Sequence, residues 1–211
     1  MHENMSNRFT KWLWIVDAGY ELFIFDYRSY GDSDVEPDMF GFRDDVTAAI
    51  EFTHKLDETK DITLVGQSMG GTFVIDALAF KDYNYVSLAV VDSTFTSFAS
   101  VLNSFMLKSI ILAPLSWLPY TFSPDELDSI KNIQDIKTPV LFVSGDSDWI
   151  VNYENSITLY EKAKTKKALW IVEDAGHVES FQNTKVREEF LKSLQQKEFF
   201  SENSYHVFNK E

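Results

Sequence analysis

Five continuous apolar runs of strand length punctuate this chain, and longer amphipathic segments separate them. The runs are Leu22-Phe23-Ile24-Phe25, Ile62-Thr63-Leu64-Val65, Val86 to Val91, Val140-Leu141-Phe142-Val143 and Ala168 to Val172. None alternates apolar with polar residues, so each reads as a strand covered on both faces, as in a parallel sheet. Helical spacing fills Asn7 to Asp17, with Gly19 as a stop, then Phe40 to Leu56, Met69 to Phe80, Asn152 to Ala163 and Val186 to Leu194. Strand-helix-strand repetition predicts an α/β fold with a doubly wound, mostly parallel sheet. Chemistry in such sheets gathers at the carboxyl ends of the strands. A chain of 211 residues fits one domain: residues 1–196 read as that domain and 197–211 as a C-terminal tail of mixed character.

The second run passes through Gly66-Gln67-Ser68-Met69-Gly70 into a helical segment. Gly-x-Ser-x-Gly between a strand and a helix is a strained turn that lifts the hydroxyl above the sheet edge. The helix N-terminus adds partial positive charge beside it. A nucleophilic serine needs a base, and the base needs an orienting acid. Of the four histidines, His2 is at the extreme start, His54 lies in a helical pattern and His206 in the tail. His177 alone follows a strand candidate, in a loop suited to a general base. Past the fourth run, "SGDSDWIV" offers two acids, Asp146 and Asp148; the residues alone favour neither.

The segments "FDYRSYGDSD" (25–34), "GQSMGG" (66–71), "VVDSTFTSF" (90–98), "SGDSDWIV" (144–151) and "EDAGHVESF" (173–181) appear with serine, acid and histidine in that chain order. In these the chain resembles the α/β-hydrolase superfamily, near small single-domain bacterial serine hydrolases of the prolyl-oligopeptidase and serine-aminopeptidase families. The resemblance runs from about residue 3 to 195. It implies Ser68 as nucleophile, His177 as base and Asp148 as acid. Asp148 matches the family as the last residue of the turn that starts at Gly145, and Asp146 is the reserve. It implies the Met69 N–H as one oxyanion donor. Relatives also carry a strand and a His-Gly-Asn turn ahead of a helix like "ENMSNRF" (3–9). The expectation is therefore a chain truncated at its N-terminus, lacking the first strands of the fold and the turn that gives a second oxyanion donor. Loss of one such donor typically lowers turnover roughly 10²–10³-fold.

The interval between the third and fourth runs is long, and its middle, "SFMLKSIILAPLSWLPYTF", is strongly apolar. Residues 99–136 read as a short lid, with Phe105, Met106, Ile110, Leu112, Trp117 and Leu118 as substrate-pocket residues. The same pattern suits a helix packed on the sheet without touching substrate. An apolar cover favours a small hydrophobic ester or acyl substrate. Lys108, Pro114 and Pro119 make this stretch a poor membrane span. The formal net charge of −14 argues against nucleic acid and anionic membrane surfaces. The absence of cysteine excludes disulfides, thiolate catalysis and Cys-ligated zinc, and fits the cytoplasm. No nucleotide-binding glycine motif is present, and although Asp174 with His177 offers a metal pair, the triad uses His177 better. Neither cofactor nor metal is expected.

The function that follows is a serine hydrolase acting on carboxylic esters, with thioesters and small amides as further substrates. The alternative is a catalytically weak or inactive hydrolase remnant that binds a partner through its apolar insert or sheet edge.

Overall fold

The computed structural model describes residues 5–123, 125–196 and 204–209. The chain divides into two compact units, Met1–Lys60 and Asp61–Glu211.

The first unit contains helices α1 (Met5–Asp17) and α2 (Met39–Leu56). Gly19, with φ +91°, follows α1 in the left-handed conformation that ends helices. The Asp38 carboxylate caps α2 by accepting from the Phe40 and Gly41 N–H groups at 3.2 and 3.0 Å. One face of α2 buries Phe42, Val46 and Ile50, spaced one turn apart. On α2, Asp45 takes the Arg28 guanidinium at 2.8 Å.

Leu22–Phe25 is not a strand, contrary to expectation: it has no regular structure and joins no ladder. Its apolar character serves aromatic packing within the unit. The Phe23 ring lies 5.4 Å from Phe52 of α2, and Phe25 lies 4.9 Å from Tyr27. An apolar run becomes a strand only when a neighbouring strand takes its backbone groups. Phe23, Phe25 and Phe52 also line an open recess of about 360 Å³, which contains none of the expected catalytic residues.

The second unit is a five-stranded parallel sheet in the order β1-β2-β3-β4-β5, flanked by helices. The strands are β1 (Ile62–Gln67), β2 (Val86–Asp92), β3 (Val140–Gly145), β4 (Lys167–Val172) and β5 (Ser204–Phe208). Helix α3 (Met69–Phe80) joins the first pair. Helices α4 (Phe98–Leu107), α5 (Pro119–Phe122) and α6 (Ser129–Asn132) lie between β2 and β3. Helix α7 (Glu154–Lys162) joins β3 to β4, and α8 (Thr184–Gln196) follows β4. Every residue of β3 is buried, as its continuous apolar run requires. Helix α3 is buried on almost every side, from Gly71 to Leu78.

Strand β5 lies in the stretch read from sequence as a tail. It pairs in parallel with β4, from Ala168↔Ser204 to Val172↔Phe208. Its residues are half-buried or exposed, so an edge strand here needs no apolar run, and mixed "SYHVF" carries no strong signal. The register places the strand ends level. Gln67 of β1 faces Asp92 of β2, Asp92 faces Val143 of β3, and Gly145 faces Val172 of β4. The loops after β1, β2, β3 and β4 therefore open along one edge of the sheet.

Candidate active site

Ser68 occupies the single residue between β1 and α3, with φ 54° and ψ −123°. This conformation is strained for a non-glycine residue and persists only where its surroundings hold it. Here the Ser68 N–H donates to the Asp92 carbonyl at 2.8 Å. The Ser68 carbonyl accepts from the Gly71 N–H and from Thr94 Oγ1, each at 3.0 Å. The turn is tight enough to require Gly66: a Cβ there would lie 2.6 Å from the Gly71 Cα and 2.7 Å from the Gly70 carbonyl oxygen. Both obstacles are backbone and cannot swing away. Gly66→Ala is therefore expected to destabilise the protein by about 1–3 kcal/mol. Thermal melting monitored by circular dichroism would read this as a midpoint lower by several degrees.

Asp148 sits in the turn after β3. Its Oδ1 accepts from the Ile150 and Val151 N–H groups, both at 2.9 Å. Its Oδ2 lies 2.8 Å from His177 Nδ1. The Asp148 side chain is wholly buried, whereas that of His177 keeps 17% of its exposure. His177 Nε2 lies 3.0 Å from Ser68 Oγ. Acid, imidazole and hydroxyl thus form an unbroken chain. The other acid, Asp146, faces elsewhere: its Oδ1 accepts from the Asp174 N–H at 2.7 Å and from Ser147 Oγ at 3.1 Å, which ties the neighbouring turn.

The Met69 N–H is the first amide of α3 and donates no hydrogen bond among the described residues. It stands beside Ser68 at the positive end of the helix dipole. His2 lies outside the described residues, His54 belongs to α2, and His206 lies in β5. Among the described residues no three His, Asp or Glu side chains cluster as metal ligands would.

The residues expected to form a lid and pocket are distributed along α4, the turn after it, and the approach to α5. Phe105 and Met106 lie in α4. Ile110 is 95% exposed, and Phe105, Leu112 and Trp117 are also exposed, while Met106 and Leu118 are half-buried. Lys108 fastens this segment to the acid loop. Its Nζ donates to the Trp149 carbonyl and lies 5.6 Å from the Trp149 ring centre and 5.5 Å from that of Phe105.

Asp92 has no role in the sequence reading, although it stands in a quoted motif. It is fully buried at the end of β2. Gln67 Nε2 donates to its Oδ2 at 2.8 Å, and Ser180 and Ser93 hydroxyls donate to its Oδ1 at 3.2 and 3.3 Å. Burial pushes its carboxyl up to about 6, against those three hydrogen bonds and the attraction of His177. The available sequence signal was an acid directly following an unbroken apolar run.

A model of the alpha/beta hydrolase family matches residues 7–189. The chain belongs to that family. Among its relatives, the uncharacterized protein YfhR of Escherichia coli (strain K12) is 29% identical over 185 residues, covering 85% of this chain and 62% of the relative. The chain thus spans a little under two thirds of that relative's length. Protein bem46 of Schizosaccharomyces pombe is 31% identical over 141 residues, 66% of this chain and 45% of its own. Among solved structures, a monoacylglycerol lipase of Paleococcus ferrophilus superposes with a TM-score of 0.65 at 20% identity, over 93% of this chain and 90% of its own. A Pyrococcus furiosus esterase superposes at 0.60 and 21% identity, over 82% of this chain and 67% of its own. These likenesses establish the alpha/beta hydrolase fold. Among the described residues, no helix is long and apolar enough to cross a membrane.

Proposed function

We propose that this alpha/beta hydrolase is a serine hydrolase of carboxylic esters with hydrophobic acyl parts, and that it also accepts thioesters or small amides. The observation that carries the reading is the Asp148–His177–Ser68 chain, with links of 2.8 and 3.0 Å. In the tautomer that donates Nδ1–H to Asp148, Nε2 is free to accept the Ser68 hydroxyl proton. Ser68 Oγ then attacks the ester carbonyl carbon, and the proton moves to Nε2. The tetrahedral oxyanion takes the Met69 N–H, where the helix dipole favours negative charge. Asp148, held by two backbone amides, keeps the imidazole oriented and balances its charge. Imidazolium gives the proton to the leaving alkoxide as the carbon–oxygen bond breaks. Water then attacks the acyl-enzyme by the same route, releasing the carboxylic acid and restoring Ser68. The step uses water alone as co-reactant.

The insert between β2 and β3 supports a preference for apolar acyl groups, since it presents exposed aromatic and aliphatic side chains and is tied by Lys108 to the residue after Asp148. Trp117→Ala is expected to shift the acyl-length optimum in kcat/KM while leaving acetate hydrolysis unchanged. The test of the function is hydrolysis of nitrophenyl esters from acetate to decanoate. Turnover above that of Ser68→Ala is expected; a rate equal to that of the variant at every chain length would overturn the reading.

A further inference from the structure

We propose that Asp92 is a positioning residue of this site, one buried carboxylate that ties the turn of Ser68 to the loop of His177 and so sets the gap across which the proton moves. The inference rests on the serine-hydrolase reading above.

The geometry comes from both sides. On the serine side, Gln67, the residue before Ser68, donates its amide to Asp92 Oδ2 at 2.8 Å, and the Asp92 carbonyl accepts the Ser68 N–H at 2.8 Å. On the histidine side, Ser180 Oγ donates to Asp92 Oδ1 at 3.2 Å. Ser93 Oγ donates to the same oxygen at 3.3 Å and accepts the N–H of Val178, the residue after His177, at 3.2 Å. The joints this network crosses are strained. Ser68, Ser93 and Val178 have φ of 54°, 53° and 54°, in the region that favours glycine, and Val178 is β-branched. Such conformations need external restraint. Asp92 thus holds Ser68 directly through its carbonyl, and reaches Val178, the residue after His177, through Ser93.

Packing alone does not explain an acid at this position. A fully buried carboxylate is costly, and an apolar side chain would fill the space without that cost. What the carboxylate supplies is two acceptor oxygens for three donors. The titratable group that acts on it is His177; its other partners are the Gln67 amide and the Ser93 and Ser180 hydroxyls. A proton on either oxygen turns an acceptor towards groups that already donate. With the carboxyl lifted to about 6 by burial, that change falls in the mildly acidic range.

The experiment compares wild type with Asp92→Asn, in which Gln67 can turn its amide so that the neutral network still closes. Ester turnover and fluorophosphonate labelling are measured from about pH 5 to 8, with melting temperature alongside. At about pH 8 the variant is expected to show about tenfold lower kcat and labelling rate, because neutral hydrogen bonds replace charge-assisted ones. KM is expected to stay the same. The deficit is expected to shrink towards nothing at about pH 5, where wild type itself carries the proton. The melting temperature at about pH 8 is expected to be no lower than that of wild type. The sign follows from burial: a folded carboxyl raised above its ordinary value loses stability as pH rises through that range, and the amide does not. Ser180→Ala, which removes one donor and adds no group, is expected to show a smaller deficit of about threefold.

Unchanged activity in both variants would overturn the proposal. So would a deficit constant across pH, or one accompanied by a parallel fall in melting temperature, since these mark a merely structural role. A wild type that neither hydrolyses nor labels would instead sink the serine-hydrolase reading itself.

Discussion

Ser68→Ala is expected to lower ester hydrolysis by about 10³–10⁶-fold while leaving the fold intact. The size follows from what is removed. Without the Oγ no acyl-enzyme forms, and what remains is catalysis by binding and the oxyanion donor, typically 10³–10⁴-fold above water. The intact fold follows from the hydroxyl's few contacts. The Ser68 side chain makes no capping bond to α3, and its oxygen pairs with His177 Nε2 at 3.0 Å. Alanine meets the same strain at φ 54° as serine does, so the turn loses nothing by the exchange. Progress curves with a nitrophenyl ester, beside a melting curve of each protein, check both halves.

Asp148→Asn is expected to lower kcat by about 10²–10⁴-fold, and Asp146→Asn to leave it within about twofold. The two acids are two residues apart in one turn, so the pair separates local folding from chemistry. Asp148 Oδ1 takes two backbone amides of the following loop, and Oδ2 takes the imidazole. Asparagine can satisfy one set through its oxygen. Its amide nitrogen then faces His177 Nδ1 as a donor, favours the wrong tautomer, and leaves Nε2 protonated towards Ser68. The Asp146 carboxylate bonds to Ser147 in its own turn and to the Asp174 N–H in the loop after β4, and makes no bond to His177. Steady-state kinetics of the two variants side by side decides the assignment. Equal losses would mean that the turn, not the Asp148 carboxylate, matters.

The parallel sheet was legible in the sequence because buried strands must be apolar throughout, and four of the apolar runs became β1 to β4. Each of β1, β2 and β3 extends past its run to a polar or glycine end: Gln67, Asp92 and Gly145. Those polar ends stay in the ladder because side chains or register partners across the edge satisfy them, and pattern reading stops short of them. Leu22–Phe25 misled because apolarity reports burial and not the presence of a strand partner. β5 was missed for the converse reason, a partner without burial. The site followed the same divide. Ser68 and His177 each stand alone in a recognisable place, Ser68 directly after β1 and His177 in the loop that follows β4. Asp146 and Asp148 occupy equivalent places in the sequence; the resemblance to a family favours Asp148, and it is Asp148 that lies within hydrogen-bond distance of His177. Asp92 was not legible because nothing local to a strand-end acid says that it points inward to bind Gln67 and Ser180.

The central claim is that Ser68 is an activated nucleophile. The most direct test is the intact mass of the purified protein after exposure to a fluorophosphonate, with Ser68→Ala beside it. One adduct on wild type and none on the variant is the expected result, since the probe phosphonylates a serine whose proton a neighbouring base can take. A folded wild type that stays unmodified, or a variant modified equally, would contradict it.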